Sequence, residues 1–361
     1  EAGYTSAADI LRDADTALYH AKALGRGRYS VFDPHMHARA VQRLKMETEL
    51  RRALKQEEFC VFYQPIVSLS SGVITGFETL VRWQHPERQL LLPADFLPIA
   101  EELGLSVAID RWVLRTACQQ MHEWIKNFPA TANLSISVNI SGRQFEHPDL
   151  VSFIRTVLRE TRLPPQNLVL EMTEETVIEH KDTAIKTLQH LQAMGIKVSL
   201  DDFGTGYSSL SYLHYLPIST LKVDRSFISG MDINPQAATV ANTIIMLAHA
   251  LGMDVVAEGI ETMQHLNNLR AARCERAQGF FFSRPVDVLK ATALLEESLH
   301  HLVSENSSPR FIEDTDHQAD EQSPLHPQPM MSHPQPAETT DKVLMHAPDN
   351  ASPHQPDPPE Q

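Results

Sequence analysis

Between residues 59 and 282 the chain repeats one pattern: a short, nearly continuous apolar run, then a longer amphipathic stretch. The runs lie at 59–66, 73–81, 134–140, 167–172, 196–201, 219–224, 253–257 and 278–282. Apolar residues at helical spacing fill 94–103, 107–125, 148–161, 175–194, 237–251 and 261–272. A strand that is apolar on both faces must be covered on both faces, which points to a parallel sheet layered with helices. Eight such units in roughly 250 residues match an α/β fold of the TIM-like (β/α)8 barrel type. An open doubly wound sheet is the alternative, but no Gly-rich phosphate loop follows the first strand.

The flanks read differently. Residues 1–33 hold a helical pattern from Ala7 to Ala23, ended by Gly25 and Gly27, then a strand-like Tyr29 to Phe32. That piece is too short to bury a core alone. Residues 34–58 read as a linker helix entering the barrel, and the main domain as 40–300. From 304 to 361 the periodicity is lost. Eleven of the chain's 23 prolines and over half of its net charge of −15 lie there. Such a segment cannot bury enough apolar surface to offset its ordering entropy, so a disordered tail is expected. Its histidines (His317, His326, His333, His346, His354) read as solvated residues rather than metal ligands.

An acidic chain is a poor partner for duplex DNA or RNA, whose binding needs a Lys/Arg face. A small phosphate ligand stays open if bound metal supplies positive charge. The three cysteines, Cys60, Cys118 and Cys274, are odd in number and widely spaced. They fit a reducing, cytoplasmic compartment better than a disulfide framework. No apolar run approaches the roughly 18–20 residues of a membrane span. The chain starts at Glu1 rather than Met, so a fragment is expected, with any sensory or membrane segment upstream.

Nearly every apolar run ends in a polar or charged residue: Gln64, Glu78, Asn139, Glu171, Asp201 with Asp202, Lys222 with Asp224, Glu258 and Gln278. In a barrel the C-terminal strand ends converge on one mouth. Six carboxylates would meet there with one lysine, and like charges at close range cannot all stay ionised without compensation. Oxygen donors without Cys or His favour Mg²⁺ or Mn²⁺. Their number suits two ions, an arrangement used for in-line attack on phosphorus. Taken singly, each residue has an ordinary explanation as a loop cap or ion-pair partner. The recurrence at successive strand ends is what carries the reading.

Across about residues 40–290 the chain resembles the EAL phosphodiesterases that hydrolyse cyclic di-GMP. The motifs are Tyr63-Gln64-Pro65-Ile66-Val67, Gly76-Phe77-Glu78-Thr79-Leu80-Val81-Arg82-Trp83, Ser137-Val138-Asn139-Ile140-Ser141 and Leu170-Glu171-Met172-Thr173-Glu174. They continue as Asp201-Asp202-Phe203-Gly204-Thr205-Gly206-Tyr207-Ser208-Ser209-Leu210, Leu221-Lys222-Val223-Asp224, Ala257-Glu258-Gly259-Ile260-Glu261, and Gln278-Gly279-Phe280 before Ser283-Arg284-Pro285. The resemblance implies hydrolysis of cyclic di-GMP to linear pGpG by a homodimer. Glu78, Asn139, Glu171 and Asp201 would hold a first ion, Asp202 and Asp224 a second ion or its waters. Lys222 would orient the attacking water, Glu258 act as base or metal support, and Gln278 position these groups. Gln64, Leu80 and Arg82 look like guanine and phosphate contacts, and Glu174 like the anchor of the 203–216 loop. One departure is visible: Thr79 stands where the family's signature has alanine, and strand alternation turns it away from Glu78. The rival readings are a catalytically weak receptor of the same family and a single-metal barrel lyase or aldolase. Ala14 to Lys22, then Gly25-Arg26, resembles the last helix and strand of a GGDEF diguanylate cyclase domain, without that family's signature loop.

Overall fold

The computed structural model describes residues 6–23, 29–179, 181–204 and 213–303. β1 (Phe59–Ser68) and β2 (Ile74–His85) form a long antiparallel hairpin, in register from Phe59 opposite Trp83 to Ile66 opposite Gly76. β3 (Gln89–Leu91) folds back on the far end of β2. From β2 the sheet runs in parallel through β4 (Ser135–Asn139), β5 (Leu168–Thr173), β6 (Lys197–Phe203), β7 (Thr220–Val223), β8 (Asp254–Ala257) and β9 (Arg276–Ala277). β9 then pairs with β1, so eight strands close into a barrel and β3 lies outside the ring.

The expected all-parallel ring is thus corrected at one strand. β1 runs antiparallel to both neighbours. The reason is connection length. A parallel crossover needs a dozen residues or more, whereas five residues, 69–73, join β1 to β2. They turn tightly, with Gly72 at φ 74 and its N–H donating to the Ser68 carbonyl at 2.8 Å. The parallel strands carry the apolar runs because both faces are covered. In β5 every residue from Leu168 to Met172 is buried.

The eighth run is also corrected. Only Arg276 and Ala277 are strand, while 278–282 is a turn. Ile260 N–H donates to the Gln278 carbonyl, and Phe281 N–H to the Ile260 carbonyl. This exchange needs Gly279, because a Cβ there would lie 2.2 Å from the Ile260 nitrogen and 2.3 Å from its oxygen. Gly279→Ala is expected to cost about 1–3 kcal/mol of stability, as overpacking does. A denaturation midpoint equal to that of the parent would refute the close approach.

Residues 175–194, expected as one helix, give two, Glu174–Glu179 and Lys181–Ala193; residue 180 lies outside the described residues. α1 (Ala7–Ala23) packs on α2 (Pro34–Ala53), and its Ala17 and Ala21 are buried. Tyr29 to Phe32 forms no strand: Tyr29 is 90% and Val31 74% exposed. A single extended segment has no partner for its backbone unless a sheet edge is beside it. α2 ends seated on the barrel by Met46, Leu50 and Ala53, with Arg88 Nη2 3.1 Å from Glu49 Oε2 and Arg52 Nε 2.9 Å from Glu58 Oε1. The expected tail, 304–361, lies outside the described residues. Among the described residues no helix is long and apolar enough to cross a membrane.

Candidate functional site

Lys222 stands in the middle of β7, wholly buried inside the barrel. Its ammonium is 2.7 Å from Glu258, 2.8 Å from Glu171, 3.0 Å from Asp201 and 3.4 Å from Glu78. Four acids from four places in the sequence thus meet on one cation. Glu171 comes from β5, Asp201 from β6, and Glu258 follows β8. Glu78 lies mid-way along β2 rather than at a strand end, and Gln64 lies opposite it in β1. The expectation that Gln64 and Glu78 end their runs is corrected, because the β1–β2 hairpin runs on past the ring. Strand alternation puts Glu78, Leu80 and Arg82 on one face of that extension, opposite Gln64, Phe62 and Cys60. Arg82 is buried, 5.5 Å over the Phe62 ring, with Nη1 donating to the Val81 carbonyl. Leu80 is half-buried.

Asp201 and Asp202 are consecutive and would face opposite ways in a regular strand. The β6–β7 register shifts between Leu200 and Phe203, and Asp202 has φ 54, a conformation that residues other than Gly rarely adopt. The irregularity turns both carboxylates to the mouth. Two oxygen groups result, Glu78–Glu171–Asp201 and Asp201–Asp202–Glu258, each with its oxygens within 4.8 Å of one another. Asn139 Nδ2 donates to Glu78 Oε1 at 3.0 Å. Gln278 Nε2 donates to Glu78 Oε2 at 2.6 Å and to Glu258 Oε1 at 2.9 Å. Asp224 falls outside both groups. It caps the short helix Arg225–Ile228 through Ser226 N–H, and its charge helps raise the pKa of Asp202, after burial and Asp201. Glu174 begins a helix; most of the 203–216 loop it was expected to anchor, 205–212, lies outside the described residues. Thr79 is buried behind the site, its hydroxyl donating to the Ser137 carbonyl at 2.7 Å.

Some site neighbours had escaped the sequence reading. Arg225, Glu261 and Phe280 line a cleft of about 160 Å³ with Gln64, Glu258 and Gln278, and Arg225 pairs with Glu261 at 3.1 Å. Arg225 follows Asp224 directly, a signal that was available; Phe280 was hidden in a run read as strand. Asp110, on the helix Ser106–Asn127, accepts hydrogen bonds from the Ser141 amide at 3.1 Å and hydroxyl at 2.5 Å, just beyond Asn139. Nothing local in the sequence marks it.

Burial pushes the Glu171 and Glu258 carboxyls up to about 8, with neighbouring acids adding to the rise and Lys222 opposing it. Burial opposes the Lys222 charge in turn, but the surrounding carboxylates overcome it and hold its pKa well above the usual value. One cation therefore does not balance the cluster. The donors are all oxygen, and Gln278 Oε1 is buried with no hydrogen-bond partner among the described residues. Carboxylates, amide oxygens and uncompensated negative charge are the donor set of a hard divalent cation, so the residues fit one. The sign of the pH effect follows. Without divalent ions the folded state binds more protons than the unfolded one between the ordinary 4.5 and about 8, so stability falls as pH rises through that window. Melting in chelator is expected to drop from pH 5 to pH 8, and Mg²⁺ to restore more at pH 8. A flat profile in chelator would contradict the coupling.

The EAL domain family matches residues 47–285. MucR of Pseudomonas aeruginosa, a bifunctional diguanylate cyclase/cyclic di-GMP phosphodiesterase, is 41% identical over 278 residues, covering 77% of this chain and 40% of that protein. The cyclic di-GMP phosphodiesterase NbdA of the same organism is 40% identical over 291 residues, covering 81% of this chain and 36% of that protein. The chain thus spans about two-fifths of these relatives' length. The solved structure of the PaMucR phosphodiesterase in complex with c-di-GMP superposes with a TM-score of 0.66 at 40% identity, covering 68% of this chain and 99% of that one. With the acids of the sequence motifs gathered at one mouth of a closed barrel and the family match spanning most of that barrel, the chain belongs to the EAL domain family.

Proposed function

We propose that this chain hydrolyses cyclic di-GMP to linear pGpG with two divalent ions, Mg²⁺ or Mn²⁺. The observation that supports it most is the meeting of Glu78, Glu171, Asp201 and Glu258 on Lys222 at one end of the barrel. Glu78, Asn139, Glu171 and Asp201 would hold one ion, and Asp202 with Asp224 the other. When bound, such ions supply Lewis-acid charge at the phosphoryl group and make water acidic at neutral pH. Lys222 holds Glu171 and Glu258 in place and orients the attacking water. Glu258, the most exposed of the four acids on Lys222, takes the proton from that water. Gln278 holds Glu78 and Glu258 through its amide. Gln64, Leu80 and Arg82 run up the hairpin and receive the guanine and phosphate. In-line attack opens one ester and releases the 3′-oxygen. Glu174 would anchor the 203–216 loop.

The domain plan is part of the proposal: a barrel over 40–300, entered by α2, with a dimer formed through the barrel. Residues 1–33 are the end of a GGDEF domain in this reading; the helix at Ala7–Ala23 supports it, and the unformed strand at 29–32 does not. The three free cysteines support a reducing, cytoplasmic setting. Turnover is expected to vanish in chelator and return with Mg²⁺ or Mn²⁺; full turnover in excess chelator would overturn the metal assignment. Thr79→Ala removes one buried hydrogen bond behind the site, so the rate should change less than about tenfold, or 1.4 kcal/mol. A larger gain in rate would make Thr79 a brake.

A further inference from the structure

The floor of the barrel, at the end opposite the carboxylate site, holds a second cavity of about 900 Å³. It forms where the parallel strands begin: Ser135 opens β4, Lys197 opens β6, Asp254 opens β8 and Arg276 opens β9. β1 runs the other way, so its last residue, Ser68, reaches the same end. Arg270, in the helix Met263–Ala271, and Arg273 just after it complete the wall.

Four cationic side chains thus face one cleft whose acids are two, Asp254 and Glu275. Both acids are engaged. Arg276 Nη2 lies 2.9 Å from Asp254 Oδ2, and Glu275 pairs with His249 at 3.0 Å while accepting from Val255 N–H. Arg270 Nε donates to the Leu69 carbonyl, which fixes its guanidinium against the floor. Lys197 and Arg273 are exposed and make no ion pair among the described residues. The Thr75 hydroxyl donates to the Ile66 carbonyl and the Ser135 hydroxyl to the Thr75 carbonyl, so Asn133 supplies the neutral donor beside them. A chain of net charge −15 therefore concentrates surplus positive charge in a recess. A cleft lined mainly by one sign of charge raises the local concentration of a small anion.

We propose that the floor cavity binds a small phosphate-bearing anion, with Lys197 and Arg273 as its charge contacts. Cations arriving from different walls, together with an amide donor, suit the several oxygens of phosphate better than one planar carboxylate. The volume exceeds a single phosphate and falls in the range of about 300–1,000 Å³ typical of small-molecule sites. The walls belong to β4, β6, β8 and β9, so an occupant bridges strands and stabilises the barrel by mass action.

The test uses the whole chain in chelator at about 0.15 M salt, where charges beyond roughly 8 Å are screened. Without divalent ions the carboxylate mouth repels anions, so binding reports on the floor. The probes are inorganic pyrophosphate and adenosine diphosphate, followed by calorimetry and by melting temperature. At least one is expected to bind saturably at a Kd below about 1 mM and to raise the melting temperature. The double variant Lys197→Gln, Arg273→Asn should weaken binding at least tenfold; Asn is chosen because Arg273 sits at φ 59, which Asn tolerates. Glu258→Gln, at the other end, should leave binding unchanged. Equal affinity for the two probes assigns the site to the phosphates alone, and tighter adenosine diphosphate shows that the nucleoside fills the remaining volume. No saturable binding of either probe up to about 10 mM, or binding unchanged in the double variant, overturns the proposal.

Discussion

Glu258→Gln is expected to lower turnover of cyclic di-GMP by about 10²–10⁴, the usual contribution of a general base. The glutamine keeps the size of the side chain and one carbonyl oxygen but removes charge and basicity. Glu258 touches Lys222 at 2.7 Å and the Gln278 amide at 2.9 Å, so its position is over-determined and the substitution should not displace the backbone. Dinucleotide affinity should persist, because the proposed substrate contacts Gln64, Leu80 and Arg82 lie on the hairpin and are unchanged. Calorimetry paired with turnover across a Mn²⁺ titration separates two roles. A rate that stays low at high Mn²⁺ assigns the proton to Glu258; a rate that recovers assigns it to metal support. Near-normal turnover at ordinary Mn²⁺ would remove Glu258 from the chemistry and leave Asp224 as the next candidate base.

Lys222→Met should be the most destabilising change in the barrel interior. Methionine fills most of the volume, so the expected loss is electrostatic. The variant leaves Glu171, Asp201, Glu78 and Glu258 facing one another without the cation that separates them. Removing one partner from a buried charge cluster costs about 3–5 kcal/mol. The loss should be largest in chelator at pH 8 and smaller at pH 5, where protonation relieves the repulsion of the acids already pushed up to about 8. Urea denaturation at the two pH values, with and without Mg²⁺, reads this directly. A variant as stable as the parent at pH 8 in chelator would mean that the acids are not held against one another.

What the sequence revealed of the fold follows from burial. β5 and β7 were legible as apolar runs because both their faces are covered, and the helix Ser106–Asn127 because one face is wet and the other is not. The direction of β1 was not read from its composition, since an antiparallel strand inside a closed ring is as apolar as its neighbours. It was encoded in the length of the turn after Ser68. The Phe280-Phe281-Phe282 run misled because apolar residues also pack in a turn, here one that Gly279 permits against Ile260.

The site was more legible than the fold around it. Glu171, Asp201, Lys222 and Glu258 each interrupt or end an apolar segment, where a charge needs a reason. Asp202 was identified, but its direction depends on a backbone irregularity that no side-chain pattern encodes. Asp110 and Arg225 act across the fold on Ser141 and Glu261, and such pairings form only when the chain closes.

In the proposed reaction divalent metal at the barrel mouth opens cyclic di-GMP at one ester. Chromatography of cyclic di-GMP incubated with the whole chain and Mg²⁺ or Mn²⁺ tests it most directly. One product is expected, linear pGpG, formed with either ion and absent in chelator. Dinucleotide bound but uncleaved at saturating Mg²⁺ and Mn²⁺, or pGpG formed at full rate in excess chelator, would contradict it.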